Sequence, residues 1–338
     1  MTRNWINELS TTPKYLQIVN GILSAIEDGH LKVGDILPSV NQVLIKYDIS
    51  RDTVVKAYDI LKKQEIIEAV HGKGNYVRKT NYRPKAKIFL LFNKLSTHKK
   101  IIFDAIAETL GADIPIDFFI YHNDYKLFKR ILSEQIDKNY THFVIIAHFN
   151  EGGGNVVELL KQIPLQKLVI LDKKINGFYE DYACIYQDFQ KDLYNALTEA
   201  LPLISKYQNI KILFPQNTYH PKEIIIGLKL FCQKYNFLYQ IIDDTNSVEV
   251  KKGDVFINLM EDDLVKIIKK IKDKNFKVGQ DVGIISYNET PLKEVLLDGI
   301  TVISTDFEQL GKKCAQMILN NERLQIANDF NLIVRNSL

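Results

Sequence analysis

Cysteine is scarce and scattered: Cys184, Cys232 and Cys314 are the three in 338 residues. An odd count at such distances excludes a disulfide framework and metal-ligand spacing, and it fits a reducing compartment. The seven histidines show no paired spacing, so no metal site is expected. No apolar run approaches the roughly 20 residues of a membrane span. The opening stretch MTRNWINELSTTPKY lacks the roughly 7–15-residue apolar segment of a secretory signal, so the expected location is cytoplasmic. No Gly-x-Ser-x-Gly, His-Glu-x-x-His or Gly-x-Gly-x-x-Gly occurs, which removes the commonest enzyme signatures. Glu151-Gly152-Gly153-Gly154-Asn155 lacks the Lys-Ser/Thr ending of a phosphate loop and reads as a strand-to-helix turn.

Net charge is also small, +3, but unevenly placed. Residues 1–87 hold 14 Lys/Arg against 9 Asp/Glu, or +5; the remaining 251 hold 30 against 32, or −2. A basic N-terminal module on a near-neutral body suggests a polyanion-binding head, although a solvated basic face would give the same count. With 46% hydrophobic and 25% charged residues the chain is ordinarily globular. Its length suggests two or three domains at about 100–200 residues each.

In the head, Tyr15, Ile18, Val19, Ile22, Leu23 and Ile26 recur at helical spacing and predict a helix over 13–28. Ser39 can cap a short second helix and Ser50 a third, over 51–63, because each hydroxyl accepts an orphan amide proton. Together these form a helix-turn-helix, with Arg51 at the tip that would enter a major groove. There a guanidinium can grip guanine edges or clamp a phosphate. Residues 66–70 and 75–78 read as two strands of a hairpin around His71-Gly72-Lys73-Gly74, where glycine lets the tip approach another surface closely.

The ordered set Lys14-Tyr15, Gln17-Ile18, Gly34-Asp35, Leu37-Pro38-Ser39, Ser50-Arg51, Thr53-Val54, Ala57-Tyr58, Leu61, Ile66, Gly72, Gly74 and Tyr76-Val77 resembles the GntR-family winged-helix DNA-binding domain. The resemblance implies DNA contacts at Arg51, Thr53, His71, Gly72 and Lys73, with Ser39 near the backbone. Ser50 and Lys56 suit phosphate and edge contacts. Asn41 and Val55 stand where many members have DNA-contacting arginines, so readout is expected to rest on Arg51, Asn41 and the wing. Glu65 replaces the family's usual glycine, a costly exchange if left-handed geometry is needed there.

Residues 80–87 are polar, contain Pro84 and lack apolar periodicity, so a linker is expected between a head over 1–79 and a body over 88–338. Beyond it, continuous apolar strands alternate with amphipathic helices in two successive series, which means two parallel-sheet subdomains covered on both faces. Ligands in such sheets bind beyond the strands' carboxyl ends, so facing sheets would share a cleft. The segments Leu171-Asp172-Lys173, Tyr186-Gln187-Asp188, His220-Pro221-Lys222-Glu223, Ser286-Tyr287-Asn288-Glu289 and Leu310-Gly311 resemble the periplasmic-binding-protein-like (type I) effector domain of LacI/GalR-type repressors.

The fold class expected is therefore a winged helix-turn-helix (α+β) domain joined to a two-subdomain α/β body. At the strand ends Asn93, His148, Lys173, Asp188, Tyr219, Lys222, Glu261 and Asn288 offer polar groups for sugar hydroxyls. Phe103, Phe178 and Tyr186 offer aromatic faces. Each is equally readable as a surface loop or structural hydrogen-bonding residue. The resemblance favours Lys173, Asp188, Lys222 and Asn288, although Lys173 stands where an arginine is usual and lacks its bidentate fork. The function implied is a DNA-binding transcription regulator, no enzyme and without a cofactor. It would bind double-stranded operator DNA as a homodimer under control of a sugar, with arabinose or fucose as guesses. A pyridoxal-phosphate aminotransferase-like regulator and a stand-alone sugar-binding protein are the alternatives.

Overall fold

A computed structural model describes residues 4–80, 86–111, 113–215 and 220–338. The predicted linker lies mostly outside these residues. The first three helices are α1 (Lys14–Glu27), α2 (Val40–Tyr47) and α3 (Arg51–Lys63), followed by the antiparallel hairpin β1 (Ile67–Val70) and β2 (Gly74–Val77). Their starts are fixed by side chains. Ser39 and Gln42 form a reciprocal capping box on α2, and Ser50 accepts from the Thr53 amide on α3. Ile18, Ile22, Val54 and Leu61 are fully buried where α1 and α3 pack together, each contributing about 1.5–3 kcal/mol relative to exposure. Residues 34–37, which the sequence offers only as a connection, lie against β2 as a third strip of the wing: Gly34 N–H donates to the Val77 carbonyl and Leu37 N–H to the Asn75 carbonyl, both at 2.8 Å. Glu65 does adopt the left-handed region, φ 56°. Arg78 and Lys79 lie 3.6 Å from its carboxylate but are exposed, so they offset little of a strain of about 1–2 kcal/mol.

The body elements follow in alternation. They are β3 (Ile88–Phe92), α4 (Thr97–Leu110), β4 (Ile116–Ile120), α5 (Tyr125–Gln135), β5 (His142–Ile145), α6 (Val156–Leu160), β6 (Leu168–Asp172) and β7 (Ala183–Tyr186). Then come α7 (Phe189–Glu199), α8 (Leu201–Ile204), β8 (Asn209–Leu213), α9 (Glu223–Tyr235), β9 (Leu238–Ile242), β10 (Asp254–Asn258), α10 (Glu261–Asp273), β11 (Gly283–Tyr287) and α11 (Pro291–Val295). The chain ends with β12 (Thr301–Thr305), α12 (Phe307–Asn320), β13 (Gln325–Ala327) and β14 (Phe330–Ile333). The two sheets have the strand orders β13-β7-β6-β5-β3-β4 and β14-β12-β11-β10-β8-β9. Strands β3, β5 and β6 and strands β8, β10 and β11 are buried at nearly every position, as continuous apolar runs require. The sheets are not wholly parallel. β14 runs antiparallel to β12, and the helical stretch after β7 divides at Ala200 into α7 and α8, with Pro202 in the first turn of α8.

The chain forms two compact units, one of residues 1–184 and 311–324, the other of 185–310 and 325–338. Unit 1 contains the head as well as the first sheet, so by its contacts the head is no separate body. Its N-terminal strip is laid along the open edge of β4. Ser10 bridges Phe119 antiparallel, Thr11 N–H donates to the Phe118 carbonyl at 2.7 Å, and Phe118 N–H donates to Thr12 Oγ1 at 2.6 Å. Asn20 of α1 donates to Asp117 Oδ1 at 3.0 Å, while Tyr140 OH donates to Asp117 Oδ2 at 2.7 Å. Lys87 donates to Ser24 Oγ at 2.8 Å and Gln64 to Asp113 at 3.1 Å. Trp5, the only tryptophan, is seated on α1 at Gly21, where any Cβ would come within 2.7 Å of its ring.

Candidate DNA-contacting head and effector site

Because Ser50 spends its lone pair on α3's first turn, the helix begins sharply and Arg51 stands exposed at its open end. The Ser50 and Thr53 hydroxyls are 2.8 Å apart. Lys56 is also exposed, with its ammonium 3.8 Å from the centre of the Tyr15 ring, so its charge is held on the flank of α3 beside the start of α1. Asn41 is exposed on α2, next to the capping Ser39. At the wing tip His71, Gly72 and Lys73 are exposed, and Gly72 has φ 74°, a turn geometry that a side chain would strain. Every residue expected to touch DNA is thus on the surface of the head. The tyrosine behind them is structural: Tyr58 OH donates to the Pro38 carbonyl at 2.6 Å, and burial pushes its ionisation well above the usual range.

In unit 1, Asn93, His148 and Lys173 follow the carboxyl ends of β3, β5 and β6. Asn93 is buried; its amide donates to Asn123 Oδ1 at 2.7 Å, and its own carbonyl oxygen has no donor. His148 Nε2 lies 3.6 Å from Asp172 Oδ2, which accepts a hydrogen bond from Lys99 at 2.6 Å. Burial, then the ammoniums of Lys99, Lys173 and Lys94, depress the His148 imidazole to about 4 against the pull of Asp172, so it is neutral at pH 7. Lys99 was not singled out from the sequence, and Asp172 entered only within the segment Leu171-Asp172-Lys173. A signal existed: Lys99 falls on the buried face of α4 with Ile102 and Ile106, three and seven residues on. A charge on an apolar stripe calls for a buried partner.

The two phenylalanines expected as open faces are corrected by their packing. Phe103 stacks on Phe118 in the middle of β4, centroids 4.9 Å apart, rather than at a strand end. Phe178 is buried and stacked on Tyr182 at 4.8 Å, so its ring is committed to the core.

In unit 2, Tyr186 ends β7 and Asp188 caps α7, accepting from the Lys191 amide. Lys222 is exposed just before α9, and Glu261 opens α10, accepting from the Thr290 hydroxyl at 3.2 Å. Asn288 follows β11 with φ 62°; its side-chain oxygen is buried without a donor, and its backbone carbonyl accepts from Lys293 at 2.6 Å. Lys293 itself is buried, which lowers it to about 8. Asn258, at the end of β10, is fully buried and its side-chain oxygen is likewise unmatched, though nothing in the sequence marks it. Tyr219 lies outside the described residues.

Comparison with known proteins agrees with this layout. Residues 14–77 match the model of bacterial regulatory proteins, gntR family. The chain is 36% identical over 109 residues to the mannosyl-D-glycerate transport/metabolism system repressor MngR of Escherichia coli, covering 30% of this chain and 43% of that one. It is 30% identical over 112 residues to the transcriptional repressor YtrA of Bacillus subtilis, covering 33% of this chain and 82% of YtrA. The chain therefore spans less than half of MngR but most of YtrA. The body has the fold of LacI-family regulators. One from Bifidobacterium animalis subsp. lactis superposes with a TM-score of 0.62 at 16% identity, over 76% of this chain and 98% of that one. One from Lactobacillus casei with bound sucrose gives 0.56 at 14%, over 75% and 99%. With its capped third helix, wing and matched head, this chain belongs to the gntR family of bacterial regulatory proteins.

Proposed function

We propose that the chain is a one-component transcription regulator that binds operator DNA through its head and a small sugar through its body. The observation that carries this is Arg51, exposed at the open end of a capped α3 beside an exposed wing. In this reading α3 enters a major groove. Arg51 and Asn41 meet base edges, Ser39, Ser50, Thr53 and Lys56 meet phosphates and flanking edges, and His71, Gly72 and Lys73 follow the adjacent backbone. Two copies form a homodimer on half-sites about 34–36 Å apart or a multiple of that distance. The protein catalyses no reaction, needs no cofactor and works in the cytoplasm, where its DNA is.

The sugar class is supported by the sucrose bound to a neighbour of the same fold and by the carbohydrate system that MngR represses. A pentose or deoxyhexose such as arabinose or fucose is the narrower form of this reading. Asn93 and His148 of unit 1 are the side chains we assign to it. The strip on β4 supplies a physical route for control, because whatever rearranges the first sheet is felt by the head through Thr11, Thr12 and Asn20. By linkage, DNA then alters sugar affinity by the same factor that sugar alters DNA affinity.

An operator selected from random duplexes, with binding read by fluorescence anisotropy, tests the reading. Arg51→Ala is expected to cost about 1–3 kcal/mol in operator binding. Unchanged affinity would remove Arg51 from the interface, and no salt-sensitive duplex binding by the wild-type chain would sink the regulator itself.

A further inference from the structure

Helix α10 turns one face to the core of unit 2 through Leu264, Ile267, Ile268 and Ile271, all buried. The opposite face of such a helix is ordinarily polar. Here it carries Val265, 43% exposed. Thr290, just before α11, donates to Glu261 at the start of α10, so the two helices begin side by side. Leu296 and Leu297, at the end of α11, pack against the same core as α10. On its outer side α11 adds Leu292 and Val295, 56% and 72% exposed and three residues apart. Three apolar side chains of neighbouring helices therefore stand in water.

The charges on this face are sorted along the helix. α10 holds four acids, Glu261, Asp262, Asp263 and Asp273, and four bases, Lys266, Lys269, Lys270 and Lys272, so it presents no excess of one sign to a nucleic acid or an acidic partner. Most of them are accounted for. Glu261 accepts from Thr290, and Asp263 accepts from the Thr245 hydroxyl and lies 3.9 Å from Lys266. Lys270 donates to the carbonyls of Asn246 and Val248. Lys272 and Asp273 are adjacent in the last turn and add no net charge. Asp262, one turn before Val265, and Lys269, one turn after it, are exposed and have no ion pair among the described residues. Seven residues separate them, about 10 Å along the axis, too far to pair with each other.

A face with a free acid at one end, a free base at the other and an apolar centre is its own complement across a two-fold axis. With two copies of α10 antiparallel about an axis beside Val265, Asp262 of each copy meets Lys269 of the other, so one stripe is used twice. Antiparallel packing also sets the negative end of each helix dipole beside the positive end of its partner. Resting on the reading of the chain as a homodimer, we infer that two copies associate through the outer face of α10 and α11. Asp262 pairs with the partner's Lys269, and Val265, Leu292 and Val295 are covered. Glu294 and Asp298, exposed along α11, lie at the rim.

Sedimentation velocity of the full chain over a range of concentrations, alone and with operator duplex, tests this. Asp262→Lys sets lysine against lysine twice in each dimer, and Lys269→Asp sets acid against acid twice. Each variant alone is expected to dimerise about 100-fold more weakly, because like charges then meet at both ends of the contact. Mixed together, the two single variants should dimerise with each other. The double variant, Asp262→Lys with Lys269→Asp, should dimerise as the wild type does. In both cases opposite charges face each other again, and recovery on mixing separates repulsion from misfolding. Single variants as tightly dimeric as the wild type overturn the inference and leave the homodimer to another face. A loss that neither mixing nor the double variant repairs overturns it too. A wild-type chain that stays monomeric and occupies its operator as one copy removes the homodimer reading along with the inference.

Discussion

In both sheets the second strand of the first strand-helix-strand step lies at the edge: β4, after β3 and α4, in unit 1 and β9, after β8 and α9, in unit 2. Their sequences are alike in character, Ile116-Asp117-Phe118-Phe119-Ile120 against Leu238-Tyr239-Gln240-Ile241-Ile242. Their fates differ. β4 is buried at four of its five positions because residues 10–12 of the head run along it and satisfy its backbone. β9 is exposed at four of five, with Leu238 at 71% and Tyr239 at 44%. An open edge presents unmatched N–H and C=O groups, and proteins cover or blunt such edges. Burial at an edge is therefore set by what is laid on it, and in unit 1 that cover is the DNA-contacting module.

Buried charge divides the units in a similar way. Unit 1 matches Lys99 with Asp172. Unit 2 matches Lys211 with Asp254 at 2.7 Å but leaves Asp192 Oδ2 buried without a donor, beside Asp188. Desolvation first, and Asp188 second, raise the Asp192 carboxyl to about 7.

The largest expected effect comes from uncovering β4. Replacing Thr11 and Thr12 together by valine removes the hydroxyl acceptor of the Phe118 amide and one donor to its carbonyl. The Phe118 carbonyl keeps Thr11 N–H and Ser10 Oγ as donors, so only the Phe118 amide is stranded, and attachment of the head should weaken by about 1–3 kcal/mol. Trp5 reports it: fluorescence melting of the variant should fall well below melting followed by circular dichroism, which is dominated by the body. Coincident, unshifted transitions would show that the strip does not hold the head.

Asp192→Asn should have a smaller effect with a definite pH signature. A carboxyl whose pKa is raised on folding keeps a proton that the unfolded chain releases. Its contribution to stability is thus full below about pH 4 and is lost as pH rises toward 7. The variant should be more stable than wild type by about 1–2 kcal/mol at pH 8, discounted for partial exposure, and equal to it near pH 4. Denaturant titration at the two pH values measures the difference, and a variant less stable at pH 8 would mean that Asp192 has a partner in solution.

The smallest effect is expected at the bare edge. Leu238→Lys should change stability by no more than about 0.5 kcal/mol, as at other exposed positions without a partner. A loss of melting temperature that grows on dilution would show instead that another copy covers β9.

The head was legible in the sequence because its signals are local. Ser39, Ser50 and the Gly72–Gly74 turn each act within a few residues, so spacing alone fixes helices and hairpin. The body's central strands were legible because apolar runs bounded by polar turns need no distant partner to be recognised. β13 and β14 were not: Gln325-Ile326-Ala327 and Phe330-Asn331-Leu332-Ile333 are too short and mixed to signal strands, and they exist because β7 and β12 offer backbone to pair with. The site residues divide likewise. Asn93, His148 and Asn288 are candidates by their place after apolar runs, whereas Lys99 and Asp172, 73 positions apart, are joined only by folding.

By itself, then, the sequence determined the order of the head's helices and of the body's central strands and the caps that start the head's helices, since these depend on hydrogen bonds and apolar periodicity within a turn or two of chain. Tertiary structure alone decided that Ser10, Thr11 and Thr12 lie along an edge more than a hundred residues away, that Phe103 and Phe178 go to packing, and that Lys99 meets Asp172. Those outcomes depend on which unmatched backbone or buried charge is brought within about 3 Å of which other, and no local pattern encodes that distance.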